Sequence, residues 1–253
     1  LSVNRAQIAL GGKPLDFLFR DDSIGDKGVL QQIFVNQDYR LDHWQQGKTL
    51  ECFHDRCSQS GPSLIVDAGA NIGASAVWFM NTFANSFVFS IEPDMTNYAL
   101  LHLNTRGYVQ KLNFHGAVSG VDGKVRLVDP GLSDWGFRTV ASNGGNGGNG
   151  DHSPATETEV DAISPASILS HPAVAGMQPL IFKIDIEGGE DNLFSADTSW
   201  MGRFPLIIIE LHDWMLPFSG NSRNFIRAVA QGEFDMVYKG ENIFLFNREI
   251  LSS

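Results

Sequence analysis

The chain has 253 residues, 43% of them apolar, and carries 18 Lys and Arg against 29 Asp and Glu, a formal net charge of −11. A chain of this length buries a full core without disulfide or metal staples, and one large α/β domain is the simplest count. No basic cluster offers the footprint that a phosphate backbone needs, so nucleic acid is not the expected substrate, and no run approaches the roughly 18 apolar residues of a membrane span.

From the N-terminus, residues 14–20 read as a short strand in an N-terminal extension, followed by helices over 26–34 and 49–58 that cover one side of the core. Residues 1–20 lack the basic region, long apolar stretch and cleavage site of a signal peptide. The two cysteines, Cys52 and Cys57, stand outside any metal-binding array and are expected as a reduced pair in a cytoplasmic protein. Leu64-Ile-Val-Asp-Ala-Gly-Ala-Asn-Ile-Gly73 is an apolar run that stops at a glycine turn. It predicts a first central strand over 63–68 and a helix from Ile72 to about Phe83. Strand 87–91 ends at Glu92-Pro93 and is followed by a helix near 94–106, with Tyr98, Leu100 and Leu101 as its apolar positions. Strand 112–118 comes next, and the turn signal Asp122-Gly123 precedes strand 124–128. Residues 120–162 are expected to form a β-insertion, in which Asn143–Gly150 contains only Asn and Gly and reads as a mobile spacer between two strands, with a flexible lid over a substrate pocket as the alternative. Trp135-Gly-Phe-Arg138 beside it could floor a pocket or simply pack. Two further apolar strands, 179–186 and 205–212, presumed partners in the sheet, end in polar groups, and a helix near 221–231 with strands near 235–239 and 242–247 completes an antiparallel sheet edge.

Chemistry collects at the carboxyl ends of these strands, where open α/β sheets bind ligands. An acid at the end of the second central strand, Glu92, is placed to accept hydrogen bonds from both hydroxyls of a ribose. The turn itself, Asp67-x-Gly69-x-Asn71-x-Gly73, lacks the Gly-x-Gly-x-x-Gly order that seats a pyrophosphate, and a carboxylate at its mouth would repel one. It suits S-adenosylmethionine, which carries an ammonium group and a sulfonium but no phosphate. The turn resembles the first motif of the class I, Rossmann-like methyltransferases; the competing reading is a structural glycine turn. Lys183 and Asp185 share one face of a buried strand, as a functional pair or a structural ion pair. Asp185, Glu187, Glu210 and His212 would open on the same edge of the sheet. They could supply a general base, for which His212 has the suitable unperturbed pKa, or could hold a divalent metal, which is not expected here.

The combination of Val66–Gly73, Ile91-Glu92-Pro93, Ala117–Gly123, Lys183-Ile-Asp-Ile-Glu-Gly-Gly-Glu190 and Ile209-Glu-Leu-His212 resembles the FkbM family of methyltransferases, from about residue 16 to residue 248. Asp26–Phe34 with Tyr39 is similar to the segment that precedes the family's core. The resemblance implies an α/β fold with a seven-stranded, mostly parallel twisted sheet, helices on both faces and an antiparallel last strand. It further implies O-methylation, by S-adenosylmethionine, of a hydroxyl on a sugar, glycolipid, polyketide or related metabolite. Residues 1–60 would be an extension packed on a methyltransferase domain of 61–253. Asp67, Gly69, Ala70, Asn71 and Gly73 would line the methionine side, Glu92 and Pro93 the ribose, Ala117 and Val118 the adenine edge. Asp185 would face the methionine amine or the acceptor, and Lys183, Asp185, Glu210 and His212 are the catalytic candidates. Gly189 replaces the family's usual alanine, and the Asn/Gly tract has no counterpart in its pattern. The rival readings are a relative that binds the cofactor without catalysis and an NAD-dependent oxidoreductase. Preferential binding of S-adenosylhomocysteine or of NAD separates the latter from the methyltransferase reading.

Overall fold

The computed structural model describes residues 2–10, 12–128, 138–141 and 157–252. In chain order the strands are β1 (Val3–Leu10), β2 (Lys13–Arg20), β3 (Ser63–Ala68), β4 (Ser86–Glu92), β5 (Lys111–His115), β6 (Ala117–Val118), β7 (Gly123–Val128), β8 (Arg138–Ala141), β9 (Glu157–Ile163), β10 (Gln178–Ile184), β11 (Leu206–Glu210), β12 (Phe234–Lys239) and β13 (Asn242–Asn247). The α-helices are α1 (Ile24–Leu30), α2 (Gln45–Cys57), α3 (Ala74–Thr82), α4 (Met95–Asn104), α5 (Pro165–Ser170), α6 (Glu190–Ser195), α7 (Arg223–Val229) and α8 (Arg248–Leu251). The helix expected over 26–34 is α1 continued by a π-helix at Gln31–Val35, an element that often marks functional positions.

Seven strands form one sheet in the order β12-β13-β11-β10-β3-β4-β5. The pairs from β11 to β5 are parallel, and β13 runs antiparallel between β11 and β12. This is the sheet anticipated above, and the expected pairing of residues 180–186 with 205–212 holds, with Ile181 opposite Leu206. Two-residue periodicity sorts its side chains. Leu64, Val66, Phe182, Ile184, Ile207 and Ile209 pack on one face against Phe194, Trp200 and Phe225. Ile65, Ile181, Leu206 and Ile208 pack on the other, against α3 and the N-terminal residues Phe17, Ile33, Tyr39 and Leu50. The N-terminal segment therefore supplies one wall of the core.

Two elements differ from the sequence expectation. β1 was not anticipated: among the described residues it pairs with β2 alone, five of its eight residues are exposed, and its alternation is confined to half-buried Ala6, Ile8 and Leu10. The strand expected over 112–118 is split at Gly116, where a Cβ would lie 2.5 Å from the Asp161 carbonyl oxygen. The chain turns there into a second sheet, β6-β9-β7-β8, which accounts for the β-insertion. Asn143–Gly150 and Trp135–Phe137 lie outside the described residues.

Helix starts follow local chemistry. Asp94 caps α4 by accepting from the Thr96 and Asn97 amides, and Ser23 caps α1 through the Asp26 amide. The N-terminal hairpin is pinned by Asn104 on α4, whose Oδ1 accepts from the Leu18 amide at 2.7 Å. Its Nδ2 donates to the Leu18 carbonyl at 2.9 Å and the Ile72 carbonyl at 2.8 Å. Asn104→Ala leaves these backbone groups without their partner and is expected to cost about 2 kcal/mol, read as a lowered urea midpoint at unchanged slope.

Candidate active site

The sheet order reverses direction between β3 and β10, so a crevice opens at their carboxyl ends. The backbone after β3 is drawn tightly against both neighbours. The amides of Gly69 and Ala70 both donate to the Ile91 carbonyl at 3.0 Å, and the Asp185 amide donates to the Ala68 carbonyl at 3.0 Å. Gly69 has φ +78°, and a Cβ there would lie 1.7 Å from the Asp185 carbonyl oxygen. Asn71 also takes a left-handed φ of +48°, and Gly73, at φ +91°, caps α3.

Glu92 secures this turn. Its Oε2 accepts from the Asn71 amide at 2.8 Å and its Oε1 from the Asp94 amide at 2.9 Å. It is buried, and burial pushes its pKa up to about 7 against the opposing pull of the Asp94 and Asn71 amides, with the Asp94 charge adding to the rise. A carboxylate has about four lone-pair sites; the two backbone bonds and a long 3.5 Å contact from Asn97 Nδ2 to Oε1 leave acceptor capacity for a ribose hydroxyl.

The buried polar floor comes from strand register. Lys183 lies directly beside Asp67 on the parallel neighbour, and both point to the face covered by the N-terminal segment. The Lys183 ammonium donates to the Gly69 carbonyl at 2.6 Å and lies 3.3 Å from Asp67 Oδ1 and 3.4 Å from Asp185 Oδ2. Burial works to lower its pKa, but Tyr39, Asp67 and Asp185 outweigh it and raise the pKa above the lysine range. Asp67 accepts from the Ser75 hydroxyl at 2.7 Å and is fully buried. The expectation that its carboxylate stands at the mouth of the turn is therefore corrected: it lies beneath the turn, neutralised by Lys183.

An open cleft of about 420 Å³ lies above this floor. Gly69, Ala70 and Asn71 line one side, Lys183, Asp185 and Glu210 another, and Gln32, Ile33 and Tyr39 close it from the N-terminal segment. Of the residues singled out in the sequence, Gly69, Ala70, Asn71, Lys183, Asp185 and Glu210 reach the cleft itself. Gly73, Glu92, Pro93, Ala117 and Val118 are not among its lining residues, although the Glu92 carbonyl accepts from the Gly116 amide at 3.1 Å and so holds the start of β6 nearby.

Beyond the cleft, Glu187 and His212 join Asp185 and Glu210. His212 is buried, with Nδ1 2.7 Å from Glu190 Oε1. Its Nε2 lies 3.5 Å from Glu210, 3.6 Å from Glu187 and 3.7 Å from Asp185. Burial works to lower its pKa, yet the Glu190 hydrogen bond, the Glu210 carboxylate 3.5 Å from Nε2 and the charge of Asp185 push it up to about 11. These acids surround the ring and favour its protonated form. Burial, followed by the charge of Asp185, pushes the Glu187 pKa up to about 7. Burial also raises the Glu210 pKa, with the His212 hydrogen bond opposing it.

Two contributors were not selected from sequence. Glu190 is fully buried and also accepts from Asn221 Nδ2 and, at 3.2 Å, from the Gly188 amide. Tyr39, buried and stacked on Phe79 with ring centroids 5.3 Å apart, feels the charges of Lys183, Asp185, Asp67 and Glu210. An acid inside the Glu-Gly-Gly-Glu run was the available signal for Glu190; Tyr39 had only its place in the resembling segment.

Residues 67–238 match the family model described as the methyltransferase FkbM domain. No curated protein matches the chain. Among solved structures, a methyltransferase from Geobacter sulfurreducens is 14% identical, with a TM-score of 0.37 over 90% of this chain and 91% of that one. A putative O-methyltransferase from Klebsiella pneumoniae is 13% identical, with a TM-score of 0.43 over 89% of this chain and 97% of its own. A putative caffeoyl-CoA O-methyltransferase from Staphylococcus aureus is 10% identical, with a TM-score of 0.41 over 79% and 83%.

Proposed function

The chain belongs to the FkbM methyltransferase family, and from that premise we propose that it transfers the methyl group of S-adenosylmethionine to a hydroxyl of a small molecule or glycan such as a sugar, glycolipid or polyketide. The observation that carries this reading is the glycine turn at the sheet's switch point, tied to a buried acid with acceptor capacity to spare and lacking a pyrophosphate seat. S-adenosylmethionine supplies an electrophilic methyl group on a sulfonium. Glu92 would accept the ribose hydroxyls, and Gly69, Ala70, Asn71 and Gly73 would let the backbone approach the methionine part. Pro93, Ala117 and Val118 would border the nucleoside, and Asp185, 30% exposed beside Lys183, would take the ammonium group or face the acceptor.

When bound, the cofactor would offer its methyl carbon for in-line displacement by the acceptor oxygen with sulfur as the leaving group, and the hydroxyl proton would be released to the chain's own groups or to water. An alcohol is a weak nucleophile at neutral pH, so its proton needs an acceptor. Asp185 and Glu210 place carboxylates on the cleft and would hydrogen-bond that proton. Lys183 keeps Asp67 and Asp185 in place rather than reacting. The Tyr39 wall and the N-terminal segment exclude water from one side.

The test is calorimetric titration with S-adenosylhomocysteine and with NAD. Saturable binding of the former alone supports the reading; binding of NAD alone ends it. Ribose hydroxyls donate, so they prefer ionised Glu92, whose pKa is raised to about 7. Affinity for S-adenosylhomocysteine is therefore expected to rise about tenfold from pH 6 to pH 8, the change in the ionised fraction across that pKa. Glu92→Gln should weaken binding and flatten the slope; a wild-type slope in that variant would remove Glu92 from the cofactor site.

A further inference from the structure

The four groups beyond the cleft, Asp185, Glu187, Glu210 and His212, have an arrangement that hydrogen bonding among them does not explain. His212 is 1% exposed, and its Nε2 points at three carboxylate oxygens at 3.5, 3.6 and 3.7 Å. An N–H···O bond to a carboxylate is about 2.7–2.9 Å, so the nitrogen is centred among the acids and close to none. Its other nitrogen is fixed: Nδ1 lies 2.7 Å from Glu190, which is itself held by Asn221 and the Gly188 amide. A buried carboxylate that accepts from Nδ1 leaves the Nε2 lone pair for a metal and locks the ring's orientation, the support found behind metal-ligating histidines.

Spacing and charge agree. Donor atoms of Asp185, Glu187 and His212 lie within 4.8 Å of one another. Around one octahedral ion with bonds of about 2.1 Å, neighbouring donors are about 3.0 Å apart and opposite ones about 4.2 Å, so small inward movements bring these three donors onto one ion, and Glu210 stands beside them, 3.5 Å from His212 Nε2. Asp67, Asp185, Glu187, Glu190 and Glu210 together face two cationic side chains, Lys183 and, when protonated, His212. A divalent cation exchanged for the His212 proton reduces that excess of negative charge.

We propose that Asp185, Glu187, Glu210 and His212 bind one divalent cation, with Glu190 and Asn221 orienting the histidine. The sequence alone offered these ligands without an expectation of metal; the two-sided placement of His212 supplies that expectation. Three carboxylates and one imidazole form a mostly hard donor set that suits Mn²⁺ or Mg²⁺. Two of the ligands, Asp185 and Glu210, also line the cleft, so the ion would sit where the acceptor hydroxyl is held, would orient it and would lower its pKa. Cation binding is independent of the methyltransferase reading, whereas this role rests on it.

The test is titration of the full chain with Mn²⁺, followed by electron paramagnetic resonance of the free ion. One saturable site per chain is expected. Glu187→Gln should weaken it at least tenfold, and Glu190→Gln, which touches no metal, about tenfold through loss of orientation. The Glu187 side chain is 28% exposed, so that variant tests the site even if the buried His212→Gln variant fails to fold. No saturable Mn²⁺ binding, or wild-type affinity in Glu187→Gln, overturns the proposal. A parallel titration with S-adenosylhomocysteine separates the two readings. If the nucleoside binds without Mn²⁺ the cation site alone falls, and if Mn²⁺ binds without the nucleoside the cofactor reading alone falls.

Discussion

Lys183→Met is expected to lower the unfolding free energy by about 3–5 kcal/mol, the cost of leaving a buried charge without its partner. Lys183 is 2% exposed and Asp67 is fully buried, so water cannot replace the lost ammonium group. Asp67 would keep only the Ser75 hydroxyl, and the Gly69 carbonyl, at 2.6 Å from the ammonium now, would lose that donor. The methionine stem preserves most of the packing, so the loss reports charge rather than volume. Asp67→Asn in the same chain should recover part of the stability, because the orphaned charge is then gone. The pH dependence has a defined sign. The folded-state pKa of Lys183 is raised, so its contribution is fully present below the ordinary lysine value of 10.5 and is lost only as pH rises through the folded value. Equilibrium urea unfolding at pH 7 and pH 9 should therefore give the same loss; a change under 1 kcal/mol would mean that Lys183 is not needed to hold the acids.

The sheet was legible because its strands are buried on both faces and read as continuous apolar runs. Ser63–Ala68 and Leu206–Glu210 each end where the apolar run meets a polar or glycine signal. β1 was not legible, because Arg5 and Gln7 lie on a strand that pairs only with β2 and buries little. The break at Gly116 was equally hidden, since it is imposed by Asp161, distant in sequence. At the site, the short motif around Asp185 and the strand end at Glu210 and His212 named the chemistry correctly as acidic. What the motif could not convey was depth. Asp67 and Asp185 stand on one side of the same lysine, but one is buried and the other reaches the cleft. Nor could it convey the charge state of His212, which depends on Glu190, 22 positions away, and on two strand ends meeting. Local pattern specifies which groups are available; their ionisation is a property of the assembled edge.

Gly69→Ala should have a comparable effect by a different route. A Cβ at Gly69 would stand 1.7 Å from the Asp185 carbonyl oxygen and 2.8 Å from its carbonyl carbon, and both are backbone atoms that cannot rotate away. The residue also has φ +78°, a region that costs an L side chain on the order of 1 kcal/mol before any collision. Relief requires β3 and β10 to part at their carboxyl ends, which breaks the 3.0 Å bond from the Asp185 amide to the Ala68 carbonyl and moves Asp185 away from Lys183. The expected loss is about 3 kcal/mol or more, read by thermal or urea unfolding, with S-adenosylhomocysteine binding reduced beyond detection by calorimetry. Gly107→Ala is a matched control, because a Cβ there meets nothing within 4 Å and its backbone is not in the left-handed region. It lies in the turn between α4 and β5, outside the cleft, and should retain stability and binding. If Gly69→Ala kept both its stability and its nucleoside affinity, the close approach of the two strand ends would not be what shapes the cofactor turn.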